Sequence, residues 1–201
     1  LKRIKYNLLS ILLRKRIDNI FAMGELGVEW FKKNHFKENK IHQFQYFIEC
    51  NEKKECEFPI KNNDVINFIY IGQFIDRKNV ISTLNSFISL RNIENWNLDL
   101  YGSGPLHHHM NNIIKDNKID GKINIHDNIS NENLITKILP NYDYLILPSK
   151  FDGWGVVVNE ALSQGVKVIT NKNCGSSTLV EKSKNFGFVY ETSLTDCISN
   201  I

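Results

Sequence analysis

The chain has 201 residues, 42% hydrophobic and 23% charged, and its 25 basic and 22 acidic side chains leave a formal charge of +3. That excess is too small to argue for nucleic acid, so no nucleic-acid partner is expected. No apolar run reaches the roughly 20 residues of a membrane span, and Cys50, Cys56, Cys174 and Cys197 lack the paired spacing of a zinc site and read as reduced thiols of a cytoplasmic protein.

Residues 1–16 read as a helix, with Leu and Ile on one side and Lys2, Arg3, Lys5, Arg14, Lys15 and Arg16 spread around it. Charge returns after a short apolar patch, so this start is not a secretory signal. The chain begins without Met and ends at Asn200-Ile201 without a closing signal, so a piece of a longer protein is expected. A strand at 18–24, a helix at 25–34 and an extended stretch at 40–49 follow. The charged, proline-bearing run "CNEKKECEFPIKNND" (50–64) reads as a linker. Residues 1–50 are thus expected to be the last elements of a preceding domain, 51–64 a linker, and 65–201 a second domain.

In that second part, β-rich runs alternate with helix-length amphipathic stretches. Strands are predicted at 66–72, 97–102, 122–126, 142–148, 166–171 and 187–190. Helices are predicted at 78–91, 105–118, 131–138, 155–165, 176–183 and 192–199. Such alternation implies right-handed βαβ crossovers and a parallel sheet. "YLILP" (144–148) is apolar without alternation, as a central strand covered on both faces should be. The expected fold is α/β, a doubly wound parallel sheet, with ligands at the carboxyl ends of the strands.

The loops at those ends hold the candidate chemistry. "GQFIDRKN" (72–79) sets Arg77 and Lys78 at a helix start, where cations are unfavourable unless an anion lies between; a solvated surface pair is the alternative. "YGSGPLHHH" (101–109) has two glycines and a proline at the first helical turn, which would leave backbone N–H groups open to a phosphate or simply make a tight βα turn. It is not a dinucleotide fingerprint, because His107 replaces the third glycine and the motif follows the second strand. Consecutive histidines on a helix point about 100° apart, so His107, His108 and His109 do not converge on one metal ion. "PSKFDGWGVVVNEALSQG" (148–165) combines Asp152, the flexible turn Gly153-Trp154-Gly155 and, deeper in the next helix, Glu160. Two carboxylates to accept from hydroxyls, with amides and cations for phosphate, suit a nucleotide-activated sugar.

Along residues 66–190 these motifs, in this order, resemble the C-terminal donor-binding domain of retaining GT-B glycosyltransferases of the glycosyltransferase family 4 (group 1) type. "YIGQFIDRKNVISTLNSF" is similar to the family's first-strand motif, "LDLYGSGPL" to its G-x-G-P turn, and "FDGWGVVVNEA" to its acid-x7-acid signature. The segment 18–49 is similar to the link by which such enzymes leave their N-terminal domain. The resemblance implies a Rossmann-like half of a GT-B fold with a remnant of the acceptor domain. It implies that Lys78 neutralises the donor diphosphate and that Asp152, where Glu is commoner, contacts the donor sugar. Backbone groups of Gly153, Trp154 and Gly155 would bind sugar or phosphate, and Glu160 the ribose hydroxyls. His126, Asp127 and Asn128 would face the nucleobase, with Gly72, Gln73, Gly102 and Ser103 completing the donor-facing set. The family usually has Arg where this chain has Gln73; that departure removes a charge, and the neighbouring Arg77 either replaces it or does not. Thr178 lies where the family carries an acid, and no role is carried over to it.

The implied reaction moves a hexose-type unit from a nucleoside diphosphate sugar to the hydroxyl of a sugar or lipid-linked acceptor, with retention and without a metal or other cofactor. Lys78, Arg77 and amides near Gly155 would meet the charge growing on the leaving diphosphate. The acceptor site is expected on the other domain, leaving this piece inactive alone. The implied setting is surface polysaccharide or glycolipid assembly in the cytoplasm. The basic helix 1–16 is either a solvated helix or a peripheral contact with anionic membrane. A nucleotide-sugar epimerase and a non-catalytic nucleotide-sugar binding subunit are the rival readings.

Overall fold

The computed structural model describes residues 9–48, 58, 64–90 and 95–201. It divides into two compact units, Leu1–Phe47 and Ile48–Ile201. The linker expected at 51–64 lies almost wholly outside the described residues, as do Lys2, Arg3 and Lys5.

In the first unit residues 9–13 are helical. Strand β1 (Ile20–Met23) runs parallel to β2 (Ile41–Phe44), with helix α1 (Gly24–Lys33) between them. Ile20, Ala22 and Phe36 form its small core, joined by Val28, Phe31 and Ile41.

The second unit runs β3 (Ile66–Ile71), α2 (Val80–Ser89), β4 (Trp96–Tyr101), α3 (His107–Asp116), β5 (Ile123–His126), β6 (Tyr144–Leu147), α4 (Val157–Ser163), β7 (Lys167–Asn171), α5 (Ser177–Val180), β8 (Gly187–Tyr190) and α6 (Leu194–Ser199). Its six strands form one sheet in the order β5-β4-β3-β6-β7-β8, every neighbouring pair parallel. Each strand reaches the next through helical segments, because parallel neighbours need a crossover. Successive side chains of a strand point to opposite faces, so β3 feeds two cores. Phe68 and Tyr70 pack with α2, α3 and α6 on one face. Ile69 and partly buried Ile71 pack with α4 and α5 on the other. β6 is buried at all four positions, as its unalternating sequence requires.

The strands fall where the apolar runs predict, and the helices are shorter. Segment 131–141 is not one α-helix but an α turn (Asn131–Asn133), a π stretch (Leu134–Ile138) and a 3-10 turn (Leu139–Asn141). Pro140 enters that last turn and cannot continue an α-helical ladder. The helix expected at 176–183 shrinks to α5.

Candidate functional site

The strand order reverses between β3 and β6, so their carboxyl-end loops diverge around a crevice. After β3 the chain makes a 3-10 turn, Asp76–Lys78, then places Asn79 in the left-handed region at φ 59 before α2 begins. Asparagine tolerates that conformation better than most residues. Here its Nδ2 also donates to the Pro148 carbonyl at 3.2 Å. The turn is bound to the β6 loop by further bonds across 74 residues of sequence. Lys150 donates its backbone N–H to Arg77 O at 2.9 Å and its Nζ to Asp76 Oδ1 at 2.6 Å. Arg77 donates Nη1 to Phe151 O at 3.0 Å. Lys78 Nζ reaches Asp152 Oδ2 at 2.5 Å, with both side chains more than four-fifths buried. The two residues whose roles depend on meeting the same ligand therefore meet each other. Tyr70 underlies them, its hydroxyl donating to Gln73 O at 3.1 Å; burial pushes its phenol well above the ordinary range, opposed by Arg77 and reinforced by Asp152.

The β6 loop in turn is zipped to the β7 loop. Asp152 bridges Cys174, Gly175 N–H donates to Asp152 O at 3.0 Å, and Ser176 N–H to Trp154 O at 2.9 Å. Gly155 has φ +81, and a Cβ there would lie 2.6 Å from Leu147 Cδ2, so glycine is required. Gly153 is different: a Cβ would meet nothing within 4 Å. Among the described residues the backbone N–H groups of Gly153, Trp154 and Gly155 donate to no protein acceptor. These amides are free to donate to water or to a ligand. The Trp154 indole is buried and donates Nε1 to Asn159 Oδ1 at 2.8 Å, so this residue offers the crevice its backbone rather than its ring.

Glu160 is buried in the first turn of α4. Its Oε1 accepts from Asn131 Nδ2 at 3.2 Å, so it faces the segment that follows β5. Asn131 was not singled out from sequence; a partner for a carboxylate predicted to be buried was the available signal. On the same side Asn128 Nδ2 donates to Ser103 Oγ at 2.9 Å, and Asp127 is exposed.

The turn after β4 corrects one expectation. Its glycines were read as freeing amides for phosphate, yet Gly102 N–H donates to His126 O, Leu106 N–H to Phe74 O and His107 N–H to Gly104 O. Only Ser103 and Gly104 keep amides without a backbone acceptor among the described residues. The glycines are needed because a Cβ at Gly102 would sit 2.0 Å from Gly72 O, and one at Gly104 2.6 Å from Phe74 O. The tight βα turn is the better description. Of the histidines, His107 lies edge-on to Phe74 at 5.9 Å and His108 pairs with Asn112, so the three diverge.

Sequence reasoning also missed a polar cluster between β4, β5 and the chain entering β6. Asp99 accepts from Tyr142 Oη at 2.6 Å and Asn124 Nδ2 at 3.0 Å, and lies 2.9 Å from His126 Nε2. The His126 ring stacks on Tyr101 at 4.4 Å. An acid within the strand "WNLDLY" was the signal, since a half-buried carboxylate needs donors.

A doubly wound parallel sheet with cation, carboxylates and open amides at its switch point has the Rossmann-like α/β architecture of one half of a GT-B fold. Comparison with protein families matches residues 51–199 to the glycosyl transferases group 1, and the chain belongs to that family. Among solved structures it is similar to lipopolysaccharide outer core galactosyltransferase WaaB in its apo form, with a TM-score of 0.76 at 17% identity, over 91% of this chain and 51% of that one. A TarM variant of S. aureus, in complex with fondaparinux, alpha-GlcNAc-glycerol and UDP, gives 0.76 at 14% identity over 93% of this chain and 36% of that one. HepE of Anabaena, in complex with UDP and glucose, gives 0.72 at 12% identity over 95% and 56%. At these identities the likeness is one of fold. The chain spans about half the length of WaaB and HepE and less of TarM. No curated protein matches the sequence. Among the described residues no helix is long and apolar enough to cross a membrane.

Proposed function

We propose that the chain is the donor-binding half of a retaining glycosyltransferase of the family 4 type, transferring a sugar from a nucleoside diphosphate sugar to an acceptor hydroxyl. One observation carries this reading: Lys78 and Asp152 meet across the switch point, beside three amides that have no acceptor. Without donor, ammonium and carboxylate neutralise each other. A donor replaces both partners. Its diphosphate takes Lys78 and the amides of Gly153 to Gly155, and a sugar hydroxyl donates to Asp152.

Glu160 accepts from the ribose, Ser103, Asp127 and Asn128 face the base, and Gly72, Gln73 and Gly102 lie against the donor as backbone. When the glycosidic bond breaks, negative charge grows on the leaving diphosphate, and the fixed ammonium and amides are already aimed at it. Arg77, held on the Phe151 carbonyl, adds positive potential in place of the charge absent at Gln73. Residues 1–50 belong, in this proposal, to an acceptor domain joined through 51–64, and the acceptor is a sugar or lipid-linked saccharide of surface polysaccharide or glycolipid assembly. The basic segment 1–16 is proposed as a peripheral contact with the inner membrane face. UDP in the TarM and HepE structures makes uridine the first base to test.

The test is thermal-shift titration with UDP-, GDP- and ADP-sugars, followed by NMR of the product anomer with the intact enzyme. One nucleotide class should raise the melting temperature, and the product should keep the donor's anomeric configuration. No shift with any donor would overturn the reading.

A further inference from the structure

Within residues 1–47 lies a cavity of about 390 Å3, lined by Arg14, Lys15, His35, Lys37 and Lys40. Among the described residues no acidic side chain lines it. The five come from separate places: the end of the helical segment 9–13, the turn after α1, and the start of β2. Lys40 is mostly buried; its Nζ donates to the Ile17 carbonyl at 2.5 Å and lies 3.5 Å from Asp18, whose carboxylate is 93% exposed. Among the described residues Arg14, Lys15 and Lys37 form no ion pair.

Cations gather naturally at the carboxyl end of a helix, where unpaired carbonyls carry negative partial charge. That accounts for Arg14 and Lys15, which follow the segment 9–13. It accounts equally for His35, just past the end of α1, but not for Lys37 and Lys40, which lie further along the chain. His35 itself is held at φ 61 just past that helix, a position glycine usually takes. A side chain kept in that conformation costs stability, and here it stands in the cavity wall.

Asp18 partly offsets Lys40, but Arg14, Lys15 and Lys37 bring to the same void three cations without an ion-pair partner among the described residues, a concentration of positive potential that favours an anion. We propose that this cavity binds a phosphate group, as a mono- or diphosphate ester. Phosphate carries up to two charges and presents acceptor oxygens in several directions, as cations converging from three segments require. The Arg14 fork suits two of those oxygens at once. A carboxylate carries one charge and faces one way. The volume falls within the range of small-molecule sites, about 300 Å3 upward, and so accommodates more than a single phosphate. The cavity shares no residue with the donor site and does not depend on the function proposed for it.

The test uses the full chain carrying Lys78→Ala, so that anions are not reporting on the donor crevice. Inorganic pyrophosphate is titrated calorimetrically, and vesicles of phosphatidylglycerol or phosphatidylcholine are co-sedimented. Pyrophosphate should bind with steep salt dependence. Adding Arg14→Gln and Lys37→Gln, both solvent-accessible positions, should weaken it about tenfold or more with an unchanged melting temperature. Should phosphatidylglycerol bind through the same residues while pyrophosphate does not, the phosphate belongs to a lipid headgroup and the proposal stands. Binding equal to the parent's in the Arg14/Lys37 variant, or no binding of either probe, overturns it.

Discussion

Two kinds of joint hold the loops at the carboxyl edge of the sheet. The outer joints, β3 to β4 and β6 to β7, are backbone against backbone: Gly72 N–H to Tyr101 O and Phe74 N–H to Ser103 O on one side, Gly175 N–H to Asp152 O on the other. The central joint, β3 to β6, relies on side chains: the Lys78–Asp152 and Lys150–Asp76 pairs, the Arg77 and Asn79 contacts, and one backbone bond. Backbone joints cannot be exchanged for a ligand without unfolding the loop. Ion pairs can, because a phosphate or hydroxyl replaces either partner. The outer joints therefore serve as frame, and the central one is where the proposed donor would bind.

The sharpest way to break this comparison is at the glycines. Gly102→Ala puts a Cβ 2.0 Å from Gly72 O, and Gly175→Ala puts one 2.2 Å from Gly153 O. Backbone oxygens in a packed loop cannot step aside cheaply. Each should cost about 3–5 kcal/mol, combining overpacking with local strain, read as a fall in the urea midpoint. Gly153→Ala, with open space around it, should move the midpoint by no more than about 0.5 kcal/mol. Equal losses at all three positions would refute the division into frame and site.

Next in size is Lys78→Ala. Removing a donor preorganised toward developing charge costs about 3 kcal/mol of transition-state stabilisation, so turnover of the intact enzyme at saturating donor should fall about a hundredfold. Near-native turnover would remove Lys78 from the proposed chemistry. Glu160→Gln should act on binding instead. A charged acceptor is lost while Asn131 keeps a neutral one, and donor affinity should weaken about tenfold; calorimetric titration showing an unchanged Kd would detach Glu160 from the ribose.

The strands were legible because burial on two faces leaves a local signature: "YLIL" has no polar position to misplace, and β6 is buried throughout. So was the grouping of Lys78 and Asp152, since strand ends gather wherever a sheet is parallel. Their direct pairing was not, because contacts 74 residues apart depend on the depth of each loop. The glycine roles divided for a similar reason. Sequence says that Gly102, Gly153 and Gly155 can turn; only the folded surroundings, the Gly72 carbonyl beside Gly102 and the Leu147 side chain with φ +81 at Gly155, say that those two must be glycine and Gly153 need not be. Segment 131–141 hid its π stretch because apolar spacing reports a buried face, not the hydrogen-bond register beneath it.

The smallest expected effect tests the frame from its least legible part. Burial pushes the Asp99 carboxyl up, but hydrogen bonds from Tyr142, His126 and Asn124 outweigh it and hold the group below its ordinary value. A folded-state value below the unfolded one adds stability that is fully present above the ordinary carboxylate range, about pH 4. That contribution is lost as pH falls through the folded value. Asp99→Asn cannot titrate, so the variant should be less stable than the parent at neutral pH and should lose less on acidification. Urea midpoints measured from about pH 7 down to about pH 2.5 decide it. Parallel pH profiles for the two proteins would mean that the Tyr142, His126 and Asn124 bonds do not favour the ionised carboxylate. The β4–β5 side of the frame would then rest on its backbone bonds and glycines alone.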